Sequence, residues 1–188
     1  MRIIAGVHKG RHIEPVPHQS TRPTTDKVRE AIFDMIGPFF NGGLALDLFA
    51  GSGGLGIEGL SRGFSKVIFV DHHPKAIKTL NHNIKELKLE DKTEIFRADA
   101  IRALKGASKR DLAFDYVFLD PPYLKFSIQD ILMQLEELTL IKDQAIIVCE
   151  HDQKESLPDI LKGFHKIKEE TYGSVIKVTI YKWNRKGE

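Results

Sequence analysis

Residues 44–60, "LALDLFAGSGGLGIEGL", pass from an apolar, strand-like run through a glycine-rich turn into residues spaced for a helix. Gly51, Gly53 and Gly56 stand there in G-x-G-x-x-G spacing. Glycines at a strand-to-helix junction let the chain turn tightly, and they let a ligand approach both the main chain and the amide-rich start of the helix. The motif alone is weak evidence, but its surroundings give it weight. From residue 43 onward, short apolar runs alternate with helical periodicity: "LALDLF", "LGIEGLSR", "KVIFVD", "KAIKTLNHNIKEL", "TEIFRAD", "AIRAL", "FDYVFLD", "IQDILMQLEEL" and "QAIIVCE". This alternation predicts an α/β fold whose parallel sheet is covered by helices on both faces. The ending differs. "FHKIKEETY" and "SVIKVTIYKW" are separated only by Gly173, which predicts a closing antiparallel hairpin.

The segment before residue 43 has another character. "MRIIAGVHKGRHIEPV" reads as two short extended pieces around a glycine-containing turn, a small β-hairpin outside the main core. The proline- and threonine-rich "EPVPHQSTRPTT" then marks a boundary, dividing the chain into an extension over 1–20 and a main domain over 21–188. Val28, Ala31, Ile32, Met35 and Ile36 recur at helical spacing and predict a helix over about 25–36, with Thr24 or Thr25 as N-cap and Gly37-Pro38 as the stop.

At 188 residues, 41% hydrophobic and 29% charged, the chain has a globular composition and lacks any apolar run long enough for a membrane span. Its first residues lack the apolar core of an export signal, so the expected localisation is cytoplasmic. The lone Cys149 excludes an internal disulfide and a cysteine-based metal cluster. His72 and His73 read as loop and helix-start residues, and no metal is expected. The net charge of +2 is small, but residues 1–30 hold six Lys or Arg against three acidic residues. Arg2, Lys9, Arg11 and Arg22 concentrate cationic charge at the front.

Which ligand the glycine loop would take depends on carboxylates. Asp47 closes the first strand just before the loop, where an anion would repel a pyrophosphate and attract a sulfonium or ammonium group. The sign favours S-adenosylmethionine over a dinucleotide. Asp71, 20 residues after Gly51, closes the second strand, where it can accept hydrogen bonds from ribose hydroxyls. Asp99, after the third strand, and the amide of Ala100 could read an adenine edge. Asp120 follows the fourth strand. Each aspartate alone reads as a loop or cap residue; four at the carboxyl ends of successive parallel strands mark the edge where open α/β sheets bind ligands.

"FLDPPYLK", residues 118–125, adds the chemistry. Asp120 and the carbonyl of Pro121 offer two acceptors, Pro121 and Pro122 stiffen the backbone that holds them, and Tyr123 offers an aromatic face. The set suits a planar amine conjugated with a ring, whose lone pair is delocalised and which needs orientation to act as a nucleophile. No spacing assigns a role to Glu150-His151-Asp152.

"RIIAGVHKGRHI", "RPTTDKVREAIFDMI", "LDLFAGSGGLGIEGLSRG", "FVDHHPKAI" and "FLDPPY" together resemble the RsmD family of bacterial ribosomal RNA guanine-N(2)-methyltransferases, within the class I S-adenosylmethionine-dependent group. The resemblance covers nearly the whole chain. It implies a Rossmann-like, seven-stranded, mostly parallel sheet preceded by the small hairpin. It implies methylation of a guanine in 16S ribosomal RNA, with the RNA or the small ribosomal subunit as partner; size and the absence of an evident extra apolar face point to a monomer. Carried over by position, cofactor contacts fall on Asp47, Phe49, Ala50, Gly51, Ser52, Gly53, Asp71, Asp99, Ala100 and Asp120. The catalytic set falls on Asp120, Pro121, Pro122 and Tyr123. Arg22 and Thr24 join Arg2, Lys9 and Arg11 as expected substrate contacts. Asp71-His72-His73 departs from the family's frequent glutamate-lysine-aspartate while keeping a carboxylate. Two alternatives stay open: an adenine-N(6) nucleic-acid methyltransferase built on the same four residues, and a non-catalytic RNA-binding assembly factor.

Overall fold

The structure, a computed structural model, describes residues 1–17, 25–122 and 125–185. Its elements are α1 (Asp26–Ile36), β1 (Leu44–Asp47), α2 (Gly54–Arg62), β2 (Lys66–Asp71), α3 (Pro74–Glu86), β3 (Thr93–Arg97), α4 (Ala100–Lys109), β4 (Phe114–Leu119), α5 (Ile128–Glu137), β5 (Ile141–Asp152), β6 (Ile160–Leu161), β7 (Phe164–Tyr172) and β8 (Ile176–Trp183). The strands form one sheet in the order β3-β2-β1-β4-β5-β8-β7-β6. β1 to β5 run parallel, and β8, β7 and β6 complete the sheet antiparallel. This is the α/β architecture that the alternating pattern predicts, with the closing hairpin in place. The sheet has eight strands where the resemblance implies seven. The addition is β6, a two-residue edge strand too short to leave a period in the sequence.

Strands buried on both faces explain the near-continuous apolar runs of β1, β2 and β4. One face packs Val67, Phe69, Phe118 and Val148 beneath α1, α2 and α3. The other packs Ile68, Val117, Leu119 and Ile147 beneath α4 and α5. α4 continues past the expected "AIRAL" to Lys109, and Ala107 extends the inward stripe of Ala103 and Leu104. At the start of α1, the Thr25 hydroxyl accepts the Val28 N–H at 3.3 Å. Gly37 ends the helix.

The N-terminal segment pairs on itself as a hairpin, with Arg2 opposite His12 and backbone bonds from Ile3 to Arg11 and from Ile13 to Met1. It does not stand outside the core. Ile3 and Ile13 are buried in the same cluster as α1, α2 and α3. Alternating apolar residues cannot announce what they will pack against, which is why the sequence pattern leaves this contact unread.

One buried carboxylate holds the arrangement. Glu58 of α2, fully buried, accepts the backbone N–H groups of Ile4 and Ala5, each at 3.0 Å, and the Arg62 Nε at 2.8 Å. The Arg29 guanidinium of α1, also fully buried, approaches it at 3.4 Å and donates to the Arg2 carbonyl and to Asp26. Two separate segments, the N-terminal hairpin and α1, are thereby fastened to α2. Truncating one partner of a buried ion network leaves the others charged and uncompensated, a loss of about 3–5 kcal/mol. Glu58→Ala is therefore expected to lower the unfolding free energy by that order. Urea denaturation of wild type and variant measures it, and a loss below about 1 kcal/mol, the worth of an exposed pair, would contradict the role.

Candidate active site

β1 ends on Asp47 and β2 on Asp71, while Asp99 lies two residues beyond β3 and Asp120 directly follows β4. Since β2 and β4 flank β1 on opposite sides, the chain winds outward in both directions from the β1–β4 pair. A crevice opens at such a switch point, outside the carboxyl ends of the strands. The tertiary structure thus brings the four expected carboxylates to one edge.

Backbone geometry at the glycine turn explains its composition. Gly53, the N-cap of α2, has φ of 87°, a conformation that L side chains rarely adopt, and a Cβ there would meet Leu80 at 2.5 Å. At Gly56 a Cβ would stand 2.3 Å from the Phe69 ring, so this glycine lets α2 lie close on β2. The turn closes on itself through the Gly53 N–H, which donates to the Ala50 carbonyl at 2.8 Å, and carboxylates tie it to its surroundings. Asp71 accepts the Gly51 N–H at 2.9 Å and the His73 N–H at 2.8 Å, and Asp47 accepts the Gly56 N–H at 3.1 Å. Asn83 of α3 donates to the Ser52 carbonyl and also bonds both backbone groups of Glu14. Ala50 is buried, its N–H donated to the Val70 carbonyl.

Beside the turn lies a pocket of about 200 Å³ lined by Phe49, Asp71, Asp99, Ala100, His72 and Phe126, among others. Phe49 and Phe126 face each other with ring centroids 5.3 Å apart. Asp99 caps α4, accepting the Arg102 N–H at 2.9 Å. A carboxylate has about four lone-pair sites, so Asp71 and Asp99 can each accept further bonds from a ligand while keeping these.

The electrostatics of this edge are strained by like charge. Burial, opposed by the Gly56 N–H and reinforced by Asp71, pushes the Asp47 carboxyl up to about 7. Asp120 is pushed well above the usual carboxylate range by burial first, then by Glu150 and Asp47. A cation entering here would relieve the repulsion. Pro121 is buried and Pro122 half-buried, and the turn they start is closed by a bond from the Lys125 N–H to the Pro122 carbonyl at 3.2 Å. Tyr123, Arg22 and Thr24 lie outside the described residues.

Arg2, Lys9 and Arg11 are all exposed, as a nucleic-acid contact requires, but Lys9 and Arg11 stand away from the carboxylate edge. Val7 and His8 donate their N–H groups to Ser61, eight residues along α2 from Gly53, which is about 12 Å at 1.5 Å per residue. Arg11 donates to the carbonyl of Glu86 at the end of α3. Sequence reading missed His72, Lys125 and Phe126 in the pocket, Asn83 behind the turn, and Glu150 beside Asp120. Only Glu150 had left a signal, as a carboxylate ending an apolar run like the other four strands.

The raised Asp47 carboxyl has a consequence for stability. The folded state holds this proton more tightly than the unfolded chain does. Its contribution is complete below the ordinary value of 3.8 and is lost as the pH climbs to about 7. Asp47→Asn removes this loss and can keep the Gly56 bond. The variant is expected to be more stable than wild type at pH 8 by on the order of 1–3 kcal/mol, with the gap shrinking toward pH 5. Urea melts at both pH values decide it.

Comparison with known proteins agrees with this geometry. The family described as "Conserved hypothetical protein 95" matches residues 1–182. The Bacillus subtilis protein named "Putative rRNA methyltransferase YlbH" is 50% identical over 97% of this chain and 98% of its own length. "Ribosomal RNA small subunit methyltransferase D" of Escherichia coli is 30% identical over 100% of this chain and 92% of its own. The solved structure of the Escherichia coli "Putative methyltransferase yhhF" superposes with a TM-score of 0.84 at 28% identity, covering 98% of each chain. Family match, relatives and fold converge with the carboxylate-lined edge, and the chain belongs to the "Conserved hypothetical protein 95" family of methyltransferases, the RsmD family.

Proposed function

We propose that this protein transfers a methyl group from S-adenosylmethionine to the exocyclic amine, N2, of a guanine in small-subunit ribosomal RNA. The observation that carries the reading is the row of carboxylates across β3, β2, β1 and β4, ending at Asp120-Pro121-Pro122 beside the pocket. The names of the relatives support ribosomal RNA as the acceptor.

The residues present fit the cofactor. Phe49, Phe126, Ala100 and Asp99 would hold an adenine, and Asp71 its ribose hydroxyls. Asp47, buried and crowded by like charge, suits the cationic methionine portion. When bound, S-adenosylmethionine supplies an electrophilic methyl on a positively charged sulfur. The protein's task is then to present the amine. Asp120 and the Pro121 carbonyl accept its two N–H bonds, which fixes the nitrogen in place and frees its lone pair as the bond to carbon forms. The proton lost from the amine passes to the Asp120 carboxylate, whose burial raises its affinity for protons, and Tyr123 would stack on a base drawn out of its helix. The exposed cations Lys9 and Arg11 hold phosphates some distance from the target, as their position along α2 and α3 requires, and Arg2 adds a third exposed cation.

Labelled methyl transfer tests this, with unmethylated small subunits, naked ribosomal RNA, DNA and protein as separate acceptors. Wild type should yield N2-methylguanine in the RNA or subunits. Asp120→Ala should lower kcat about 100- to 1000-fold, as loss of a charge-stabilising acceptor does. Label in adenine or in protein would reject the reading. Neutralising Arg2, Lys9 and Arg11 together should flatten the salt dependence of RNA binding by up to about three units of log–log slope, with cofactor affinity unchanged.

A further inference from the structure

Four apolar strand runs were expected to lead into carboxylates, and the run of β5 leads into one as well, Glu150. In the register of β4 and β5, Phe118 stands opposite Val148 and Leu119 opposite Cys149. One step further sets Asp120 beside Glu150, which is buried on β5 with Val178 of β8 on its other side. Side chains alternate along a strand. Phe118 and Val148 point into the core under α1, α2 and α3, and Leu119 and Cys149 into the opposite one, so Asp120 and Glu150 return to the first face. Asp47, paired with Phe118 and bonded to Gly56 of α2, is on that face too. Adjacent strands lie about 4.8 Å apart. The row therefore steps from the pocket through Asp47 to Asp120 and on to Glu150, which stands across Asp120 from the cofactor side. The electrostatic effect of Glu150 on Asp120, second only to burial, agrees with this proximity.

We infer that Glu150 determines which base is methylated, by accepting the N1–H of guanine while Asp120 holds the adjacent amine. The inference rests on the methyl transfer proposed above. Its chemistry follows from what flanks each exocyclic amine. In guanine one of the two ring nitrogens beside the amine, N1, carries a hydrogen, while the other, N3, presents a lone pair. In adenine and cytosine the corresponding nitrogen presents a lone pair instead. An ionised carboxylate only accepts hydrogen bonds. Glu150 would thus bond to guanine and repel the other two amine-bearing bases, a selection by both attraction and clash. Glu150 already has an interaction within the protein, and its remaining lone pairs leave capacity for the base.

The test uses 2-aminopurine, which keeps the C2 amine but presents a lone pair at N1. Once the target guanine is mapped with wild type, small subunits are reconstituted with guanine or 2-aminopurine at that position. Wild type should methylate 2-aminopurine about 100-fold more slowly than guanine, the scale of one unmade hydrogen bond to a charged group. Glu150→Gln, whose amide can donate or accept, should narrow that ratio to about tenfold or less, with the Kd for S-adenosylhomocysteine within about threefold of wild type. Equal rates on the two bases by wild type, or an unchanged ratio in the variant, would overturn the assignment. So would a variant that loses cofactor binding together with activity, since Glu150 would then be structural. Wild type that places no methyl on guanine N2 in any subunit would instead refute the underlying reaction, and that result is read before the variant is made.

Discussion

The 3.1 Å bond from the Gly56 N–H to the buried Asp47 carboxylate ties the end of the first strand to the helix that follows it. Most of the molecule's organisation is referred to this junction. It fixes where α2 begins, hence where the glycine turn lies. It also sets where Glu58 meets α1 and the N-terminal segment. A carboxylate at the end of a central strand could not be kept ionised there without donors. The Gly56 amide offsets part of the desolvation, and the remainder appears as an affinity for protons.

That affinity is the cost of function at this edge. Asp47, Asp71, Asp120 and Glu150 crowd one end of the sheet, and like charges in a low-dielectric crevice repel. On the proposed reading, the same repulsion suits the crevice to a cationic ligand and to N–H groups that need acceptors. Apolar residues at these positions would give a more stable fold with nothing to present to an amine.

The N-terminal segment shows how a peripheral element becomes part of the core. Its hairpin buries Ile3 and Ile13, its amides are satisfied by Glu58, and Ser61 and Asn83 hold its two ends. Asn83 also bonds the Ser52 carbonyl of the glycine turn. The segment is therefore docked along α2 and α3, with Lys9 and Arg11 away from the crevice. A substrate that reaches both must be an extended polyanion rather than a single nucleotide.

Sequence alone determined the layers of this protein and four of the five strand-end carboxylates. Burial on both faces demands continuous apolar runs, and a glycine turn after the first strand demands small residues at fixed spacing; both requirements are local and leave a local trace. Tertiary structure decided the rest. Glu58 and Asn83 look like ordinary polar residues on helices, because nothing local says that backbone from elsewhere will come to them. Phe126 and His72 become pocket walls only when the ends of β2 and β4 meet the turn after β1. Glu150 ended an apolar run in plain view, yet its place beside Asp120 depends on which strand pairs with β4 and in what register. Strand order and register are set by the packing of the whole sheet, and a linear sequence states them only after it has folded.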